Sequence, residues 1–419
     1  MRSFQSIVLI IPILLLIDLY TYKGLIALVS KQSQKFRITA TAIYFTFSLC
    51  LISLFIFFYL NYQQAPEIPS RYMRLMWFNG IFIAVFVFKL VYILFEGFSD
   101  ILNGFRKIFQ KKNFKEPPPK FNSLVSRRDF IRKTGIIVAA LPFLGVFHGI
   151  GWGRFRFTVH HSEIKFPNLP AAFHGLRIVQ LSDAHLGGFY GNEDKLKEVV
   201  TIIEDIKPDL LVFTGDMVNN FASEMNGWVS MWADMKAPLG KFAILGNHDY
   251  GDYSKWPSKA AKKANLDAII RQEEEMGFRV LRNEKVTIER NGERIQIAGV
   301  ENWGLPPFKQ YGNLSKTLEG IPSEDFVVLL SHNPDHWVKE VNEKTSIPLT
   351  LSGHTHGFQF GLEVGNFKIS PVQLLYKYWA GLYKSDNQYL YVNRGLGYLA
   401  FPGRVGIWPE ITLIEMKRG

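Results

Sequence analysis

Five short apolar runs in the latter part of the chain each give way, within a few residues, to Asp, Asn or His. Leu176–Leu181 (L-R-I-V-Q-L) leads into S-D-A-H, with Asp183 and His185, and Leu210–Phe213 (L-L-V-F) into T-G-D, with Asp216. Residues 242–245 (F-A-I-L) precede G-N-H-D, with Asn247, His248 and Asp249. Phe326–Leu330 (F-V-V-L-L) precedes S-H, with His332, and residues 349–351 (L-T-L) precede S-G-H-T-H-G, with His354 and His356. Each run is too short for a helix and rich in strand formers. Between the first two, Leu196, Val199, Val200, Ile203 and Ile206 recur at helical spacing. Strands alternating with helices predict an α/β sheet, and residues leaving the carboxyl ends of its strands share one crevice. Residues 294–300, 389–393 and 411–416 add strands, expected in a second sheet packed on the first.

The contents of that crevice point to metal. In an extended segment alternate side chains face the same way, so Asp183 with His185, and His354 with His356, are expected to reach one neighbourhood. Glycines at 215, 246, 353 and 357 allow sharp backbone turns beside them. Pooled, Asp183, His185, Asp216, Asn247, His332, His354 and His356 are too many nitrogen and oxygen donors for one ion and suit two that share a carboxylate. Without cations the aspartates would repel and the imidazoles would lose solvent for no gain. A single Asp or His at a strand end is usually a turn or cap residue, but that explanation does not extend to seven donors in one order.

The order D-x-H, G-D, G-N-H-D, H, G-H-x-H over residues 176–357 resembles the calcineurin-like metallophosphoesterases. The resemblance implies a four-layer α/β/β/α sandwich. It also implies one metal on Asp183, His185, Asp216 and His356, and a second on Asp216, Asn247, His332 and His354. The tail "VNRGLGYLAFPGRVGIWPEITLIEM" and the anchor described below resemble a membrane-anchored bacterial branch related to UDP-2,3-diacylglucosamine hydrolases. Where that family often continues G-D-x-x-D-R, this chain has Asn219 and Asn220, which removes a side-chain support and an arginine contact to phosphate. Nitrogen and oxygen donors of this kind suit Mn, Fe or Zn. His248 is the candidate proton donor to the leaving oxygen or clamp on a phosphoryl oxygen, and Asp249 its orienting partner.

The rest of the chain places this domain beside a membrane. Residues 7–29, 40–62 and 75–98 have the length and polarity of spanning helices, and residues 135–151 form a fourth apolar segment. The formal charge of +11 is confined to this part: residues 1–134 hold 18 Lys and Arg against 6 Asp and Glu, and residues 135–419 hold 30 against 31. The domain thus lacks the overall positive field of a duplex binder, and no nucleic-acid partner is expected. The loop 99–134, with 10 basic and 3 acidic residues, is expected in the cytoplasm. That puts residues 152–419 outside it and makes the protein a multi-pass membrane protein. Within the loop, S-R-R-D-F-I-R-K (residues 126–133) is read either as a twin-arginine export signal, with the export machinery as partner, or as part of the basic loop; both readings give one topology. Asp18 and Lys89 lie inside spans, where ionisable residues can mark a proton or ion path; they are read in preference as an interhelical pair or a snorkelling end. The single cysteine, Cys50, falls in a span, so the domain has no disulfide and no thiolate ligand.

Substrate is constrained less. The stretch P-V-Q-L-L-Y-K-Y-W-A-G-L-Y (residues 371–383) is expected to contact a bilayer or an acyl chain, or else to serve as core or lid. Arg394 is read as a phosphate contact or a surface ion pair. An anchored domain favours a phosphorylated small-molecule or lipid-linked substrate. A nucleotide or nucleic-acid phosphodiesterase, and a membrane sensor that has kept a phosphoesterase domain, are the alternatives.

Overall fold

The computed structural model describes residues 2–61, 69–109, 127–365 and 367–419. The chain divides into two compact units, one holding most of the N-terminal helices, the other running from Gly149 to the C-terminus.

Four helices among the described residues are long and apolar enough to cross a membrane: α1 (Arg2–Leu28), α2 (Gln34–Asn61), α3 (Pro69–Phe109) and α4 (Arg127–Gly151). Their outward faces carry exposed Leu, Ile and Phe, as lipid contact requires. Inside, Lys89 bonds Asp18 and, at 2.9 Å, Ser48 Oγ, which lies 2.9 Å from Asp18 Oδ1. Asp18 and Lys89 are therefore an interhelical pair tying α1, α2 and α3 together. The predicted basic linker is shorter than expected, because α3 runs on to Phe109 and α4 begins at Arg127. Ion pairs carry these extensions: Arg132 forks onto buried Glu96 at 2.8 and 2.7 Å, and Arg128 reaches Glu96 at 3.1 Å and Asp100 at 2.8 Å. Three consecutive prolines, Pro117–Pro119, which no helix is expected to cross, lie outside the described residues.

The second unit contains, in chain order, β1 (Thr158–Phe166), β2 (Leu176–Leu181), α5 (Glu193–Ile206), β3 (Leu210–Phe213), α6 (Val229–Asp234), β4 (Lys241–Ala243), α7 (Lys259–Glu275), β5 (Arg279–Val280), β6 (Glu284–Arg290), β7 (Glu293–Gly299), α8 (Leu314–Leu318), β8 (Phe326–Leu330), β9 (Leu349–Ser352), β10 (Leu362–Val364), β11 (Phe367–Ile369), β12 (Gly381–Ser385), β13 (Gln388–Val392) and β14 (Glu410–Arg418). One sheet runs β1-β14-β2-β3-β4-β5 and the other β12-β13-β9-β8-β7-β6, with β10 and β11 as a separate hairpin. The period-2 alternation of each central strand sorts its side chains into two cores. Ile178, Leu210, Val212, Val328, Leu330, Leu349 and Leu351 fill the space between the sheets. Val179, Leu211 and Phe213 face Leu196, Val199 and Ile203 of α5 and Trp232 of α6, while Val327 and Leu329 face Leu314 and Trp337. The result is a helix–sheet–sheet–helix sandwich, thin on the last side, where α8 has five residues and residues 337–341 form a single turn.

The five metal-pattern strands come from both sheets: β2, β3 and β4 from one, β8 and β9 from the other. The expectation of a single sheet edge is corrected accordingly. The crevice is the seam where two sheets end together, and Gln180 crosses it, donating to Ser352 O at 2.8 Å. β1 escapes sequence reading because T-V-H-H-S-E-I-K-F is an edge strand with mostly half-buried or exposed side chains; it pairs in parallel with β14.

Candidate metal centre

The seven candidate donors converge at this seam. Asp183, His185 and His356 form one group and Asp216, His332 and His354 another, the ligand atoms of each lying within 4.8 Å of one another. In the first, His185 Nε2 and His356 Nε2 are 3.1 Å apart and Asp183 Oδ1 is 3.3 Å from His356 Nε2. In the second, His332 Nε2 lies 3.2 Å from Asp216 Oδ2, 3.1 Å from Asn247 Oδ1 and 3.2 Å from His354 Nδ1. Asp216 Oδ2 is also 3.8 Å from His185 Nε2, so this one oxygen stands between the groups.

The backbone that delivers them is not extended. Asp183, His185, Asp216, His354 and His356 all have φ between 45° and 74°, the left-handed region that side chains with a Cβ disfavour. The two-residue spacing of D-x-H and H-x-H therefore works through left-handed turns and not through strand alternation, which is why His354 and His356 enter different groups. Such strain, about 1–3 kcal/mol per residue, collects where a site holds its residues in place. Gly353 serves by its size: a Cβ there would stand 1.9 Å from Ser182 Oγ and 2.3 Å from Asp183 Oδ2.

Five of the seven donors have their far side tied down, which turns one atom toward the centre, whereas His185 Nδ1 is buried without a hydrogen-bond partner. His332 Nδ1 donates to Thr214 O at 2.7 Å, which directs Nε2 inward. His354 Nε2 meets Tyr376 Oη at 2.8 Å, leaving Nδ1, and Asn247 Nδ2 donates to Tyr253 Oη at 2.9 Å, leaving Oδ1. Asp183 Oδ2 accepts from Ser182 Oγ at 2.5 Å, and the His354 amide is shared between Oδ2 at 3.0 Å and Oδ1 at 3.2 Å. Asp216 Oδ1 accepts from the His248 amide at 2.8 Å, leaving Oδ2.

The electrostatics fit cations. Burial, aided by His356, holds the His185 imidazole well below its usual range; burial and the neighbouring His332 hold His354 down to about 3. Both rings are neutral and present lone pairs. Burial works against ionising Asp183 and Asp216, but the nearby His356 and His332 rings more than offset it and keep both carboxyls below the usual carboxylate range. His332, despite burial, is raised to about 9 by Asp216, so positive charge is favoured where these acceptor atoms converge. Buried acceptors pointing at one another in two places are stable when a positive ion lies between them, and the nitrogen and oxygen set suits Mn, Fe or Zn.

The two residues predicted to handle protons part company. His248 lines the same cavity, of about 420 Å³, with Nδ1 2.8 Å from Asn219 O. Asp249 does not touch it. Its buried carboxylate accepts the amides of Gly246 at 2.8 Å, Asp216 and Met217 at 2.9 Å and Val218 at 3.2 Å. Asp249 thus braces the two metal-bearing loops, and the expected pairing with His248 is corrected: with four amides in reach, the backbone captures the carboxylate. His248 is oriented by the Asn219 carbonyl, a support that no side chain at 219 or 220 has to supply. Arg394 is neither a phosphate contact nor a surface pair; it is buried between Glu410 at 2.5 Å and Glu363 at 2.6 Å. Tyr253 and Tyr376, which orient Asn247 and His354, carry no motif of their own, and only Tyr376 falls in the aromatic stretch 371–383.

Residues 1–154 match the family described as a probable calcineurin-like phosphoesterase transmembrane domain, and residues 176–358 the calcineurin-like phosphoesterase family. The uncharacterized metallophosphoesterase YkuE of Bacillus subtilis is 34% identical over 302 residues, covering 70% of this chain and 98% of that protein. The chain belongs to the calcineurin-like metallophosphoesterases. The UDP-2,3-diacylglucosamine pyrophosphatase LpxG of Chlamydia trachomatis is 32% identical over 284 residues, 55% of this chain and 81% of its own. The phosphodiesterase YaeI of Escherichia coli is 28% identical over 301 residues, 70% and 100% respectively. As a member of this family the chain is a membrane-associated, metal-dependent phosphoester hydrolase.

Proposed function

We propose that this metallophosphoesterase cleaves a phosphodiester or pyrophosphate bond in a lipid-linked envelope substrate, with its catalytic unit outside the cytoplasm. The observation that carries the reading is Asp216 Oδ2 standing between two donor groups at the base of a cavity whose outer wall includes Phe308, Phe358, Leu375, Leu399 and Phe401. Asp183, His185, Asp216 and His356 would hold one ion, and Asp216, Asn247, His332 and His354 the other. Two divalent ions bound there supply Lewis acidity toward phosphoryl oxygens and make water acidic near neutral pH.

The chain's own residues do the rest. His248 Nε2, its ring fixed through Nδ1, is placed to hold a proton for the departing oxygen. The amide cradle around Asp249 keeps the Asp216 and Asn247 loops in register, so the two groups do not drift apart. The apolar wall keeps water away and suits a substrate with an acyl portion. Relatives named for an acylated sugar nucleotide support the lipid-linked class, and the basic loop before α4 supports the orientation.

The purified full chain in detergent is expected to hydrolyse bis(p-nitrophenyl) phosphate with Mn²⁺, to lose activity on chelation and to be inactive as Asp216→Ala. Equal turnover by that variant, or none by the native chain across several metals, would defeat the reading. Turnover of oligonucleotides in preference to lipid pyrophosphates would replace the substrate class. A catalytic unit resistant to protease added outside spheroplasts, but cleaved after lysis, would reverse the orientation.

A further inference from the structure

The β10–β11 hairpin is built with its polarity reversed. Its register pairs Leu362 with Ile369, Glu363 with Lys368 and Val364 with Phe367. Alternation then puts four apolar side chains on one face and two charged ones on the other. The charged face is the inner one: Glu363 meets buried Arg394 at 2.6 Å, and Lys368 donates to the Ala380 carbonyl while lying over the Trp379 and Tyr383 rings. The apolar face is the outer one, with Leu362, Val364, Phe367 and Ile369 each 50–65% exposed. Beside it Leu374 is 87% and Leu375 69% exposed. Leu375 and the exposed Phe358 also line the metal cavity, so the outer face continues into the mouth of the site. A water-facing hairpin would carry the opposite pattern.

Backbone hydrogen bonds join this surface to the end of the spanning helix. Gly149 O, in the last turn of α4, accepts from the Arg404 amide at 3.2 Å. The next residue, Val405, donates to Gln359 O at 2.7 Å and accepts from Gly361 at 2.9 Å, directly before β10. Gly149 and Gly153 are packed so closely on the Arg404 carbonyl that an added Cβ would stand 2.5 and 2.3 Å from its oxygen. Helix end, the 403–405 segment and the hairpin base are thus successive neighbours. A single residue, Trp152, separates α4 from the next turn at Gly153, and it is 72% exposed, the residue type that favours a membrane interface.

We infer that the outer face of β10–β11, with Leu374 and Leu375, docks on the lipid bilayer and turns the cavity mouth toward substrate held in the membrane. This rests on the lipid-linked reading above only for what is delivered. The docking follows from the reversed hairpin and its attachment to α4. The occupant is the bilayer surface, because Gly149, where the chain leaves the membrane helix, and the exposed Trp152 belong to the backbone-bonded segment that carries the hairpin base.

The test uses the full chain in phosphatidylcholine–phosphatidylglycerol vesicles. In a Cys50→Ser background an environment-sensitive fluorophore is placed at Phe367→Cys, or, as control, at Ser315→Cys on exposed α8. The label at 367 is expected to show blue-shifted emission and to lose most of its intensity to doxyl-labelled lipid, with no loss at 315. The pair Val364→Glu and Phe367→Glu is expected to lower hydrolysis of vesicle-embedded diacylglycerol pyrophosphate at least about tenfold while changing bis(p-nitrophenyl) phosphate turnover by less than about twofold. A label at 367 as wet and unquenched as at 315 would overturn the proposal. So would energy transfer between copies labelled at 367 without lipid quenching, which would make this a face for a second chain, and so would unchanged turnover of the embedded lipid by the glutamate pair. If the native chain hydrolyses neither substrate yet the label is quenched, the functional reading fails while docking stands.

Discussion

Replacing Gly353 by alanine adds one methyl group, and the structure locates what it would strike. The new Cβ would lie 1.9 Å from Ser182 Oγ and 2.3 Å from Asp183 Oδ2, where ordinary contact begins at 3.4 Å. Neither neighbour is free to yield. Both are fully buried, Ser182 Oγ is hydrogen-bonded to that same carboxylate oxygen, and the main chain of Asp183 is held by Gly215 O at 2.8 Å and the Gly397 amide at 2.9 Å. The carboxylate must therefore swing by about 1 Å, a displacement that costs on the order of 10²-fold in rate when it moves a positioning group. Overpacking adds about 1–3 kcal/mol of destabilisation, a few degrees in Tm at this domain size. The assay compares bis(p-nitrophenyl) phosphate turnover, metal content by mass spectrometry and thermal midpoint. Gly175→Ala is the control, since its φ of +79° brings strain with nothing within 4 Å; it should lower Tm by a comparable amount and leave turnover alone. Native turnover and metal content in Gly353→Ala would refute the argument that Asp183 is held by this contact.

Two further substitutions probe the shell around the centre. Tyr376→Phe removes the hydroxyl 2.8 Å from His354 Nε2, and metal affinity is expected to fall about 10–100-fold, read as a higher Mn²⁺ concentration for half-maximal activity with saturated turnover less affected; an unchanged metal titration would exclude the role. Glu410→Gln tests the buried pair with Arg394. Burial would raise the Glu410 carboxyl, but Arg394 holds it down to about 2 from an ordinary 4.5. Its contribution, on the order of 3 kcal/mol, is complete above pH 4.5 and is lost as pH falls toward 2. Urea denaturation should show the native chain losing stability across that window and the variant losing less, from a lower starting point because Arg394 keeps only Glu363 as a carboxylate partner; identical slopes would reject the pairing as the cause.

Local pattern made much of this protein legible. Each metal-pattern strand is a run of three to six mostly apolar residues followed within a few positions by its donor, so strand and ligand are read from one window, as with Leu210–Phe213 and Asp216. Other features gave no such window. β1 is an edge strand with two histidines and a glutamate in it, too polar to announce itself. Asp249 looked like a partner for the adjacent His248, but four backbone amides from two separate loops lay nearer.

The order of donors and the apolar spans, both properties of neighbouring residues, determined that the chain carries a dinuclear-type site and a membrane anchor. Tertiary structure alone decided that the crevice joins two sheets, that the donors arrive on left-handed turns, and that the hairpin after the site turns its charges inward. The reason is distance along the chain. His332 is oriented by a carbonyl 118 residues away, and the hairpin's face depends on Arg394, 31 residues from Glu363. Such contacts exist only once packing has chosen which segments meet.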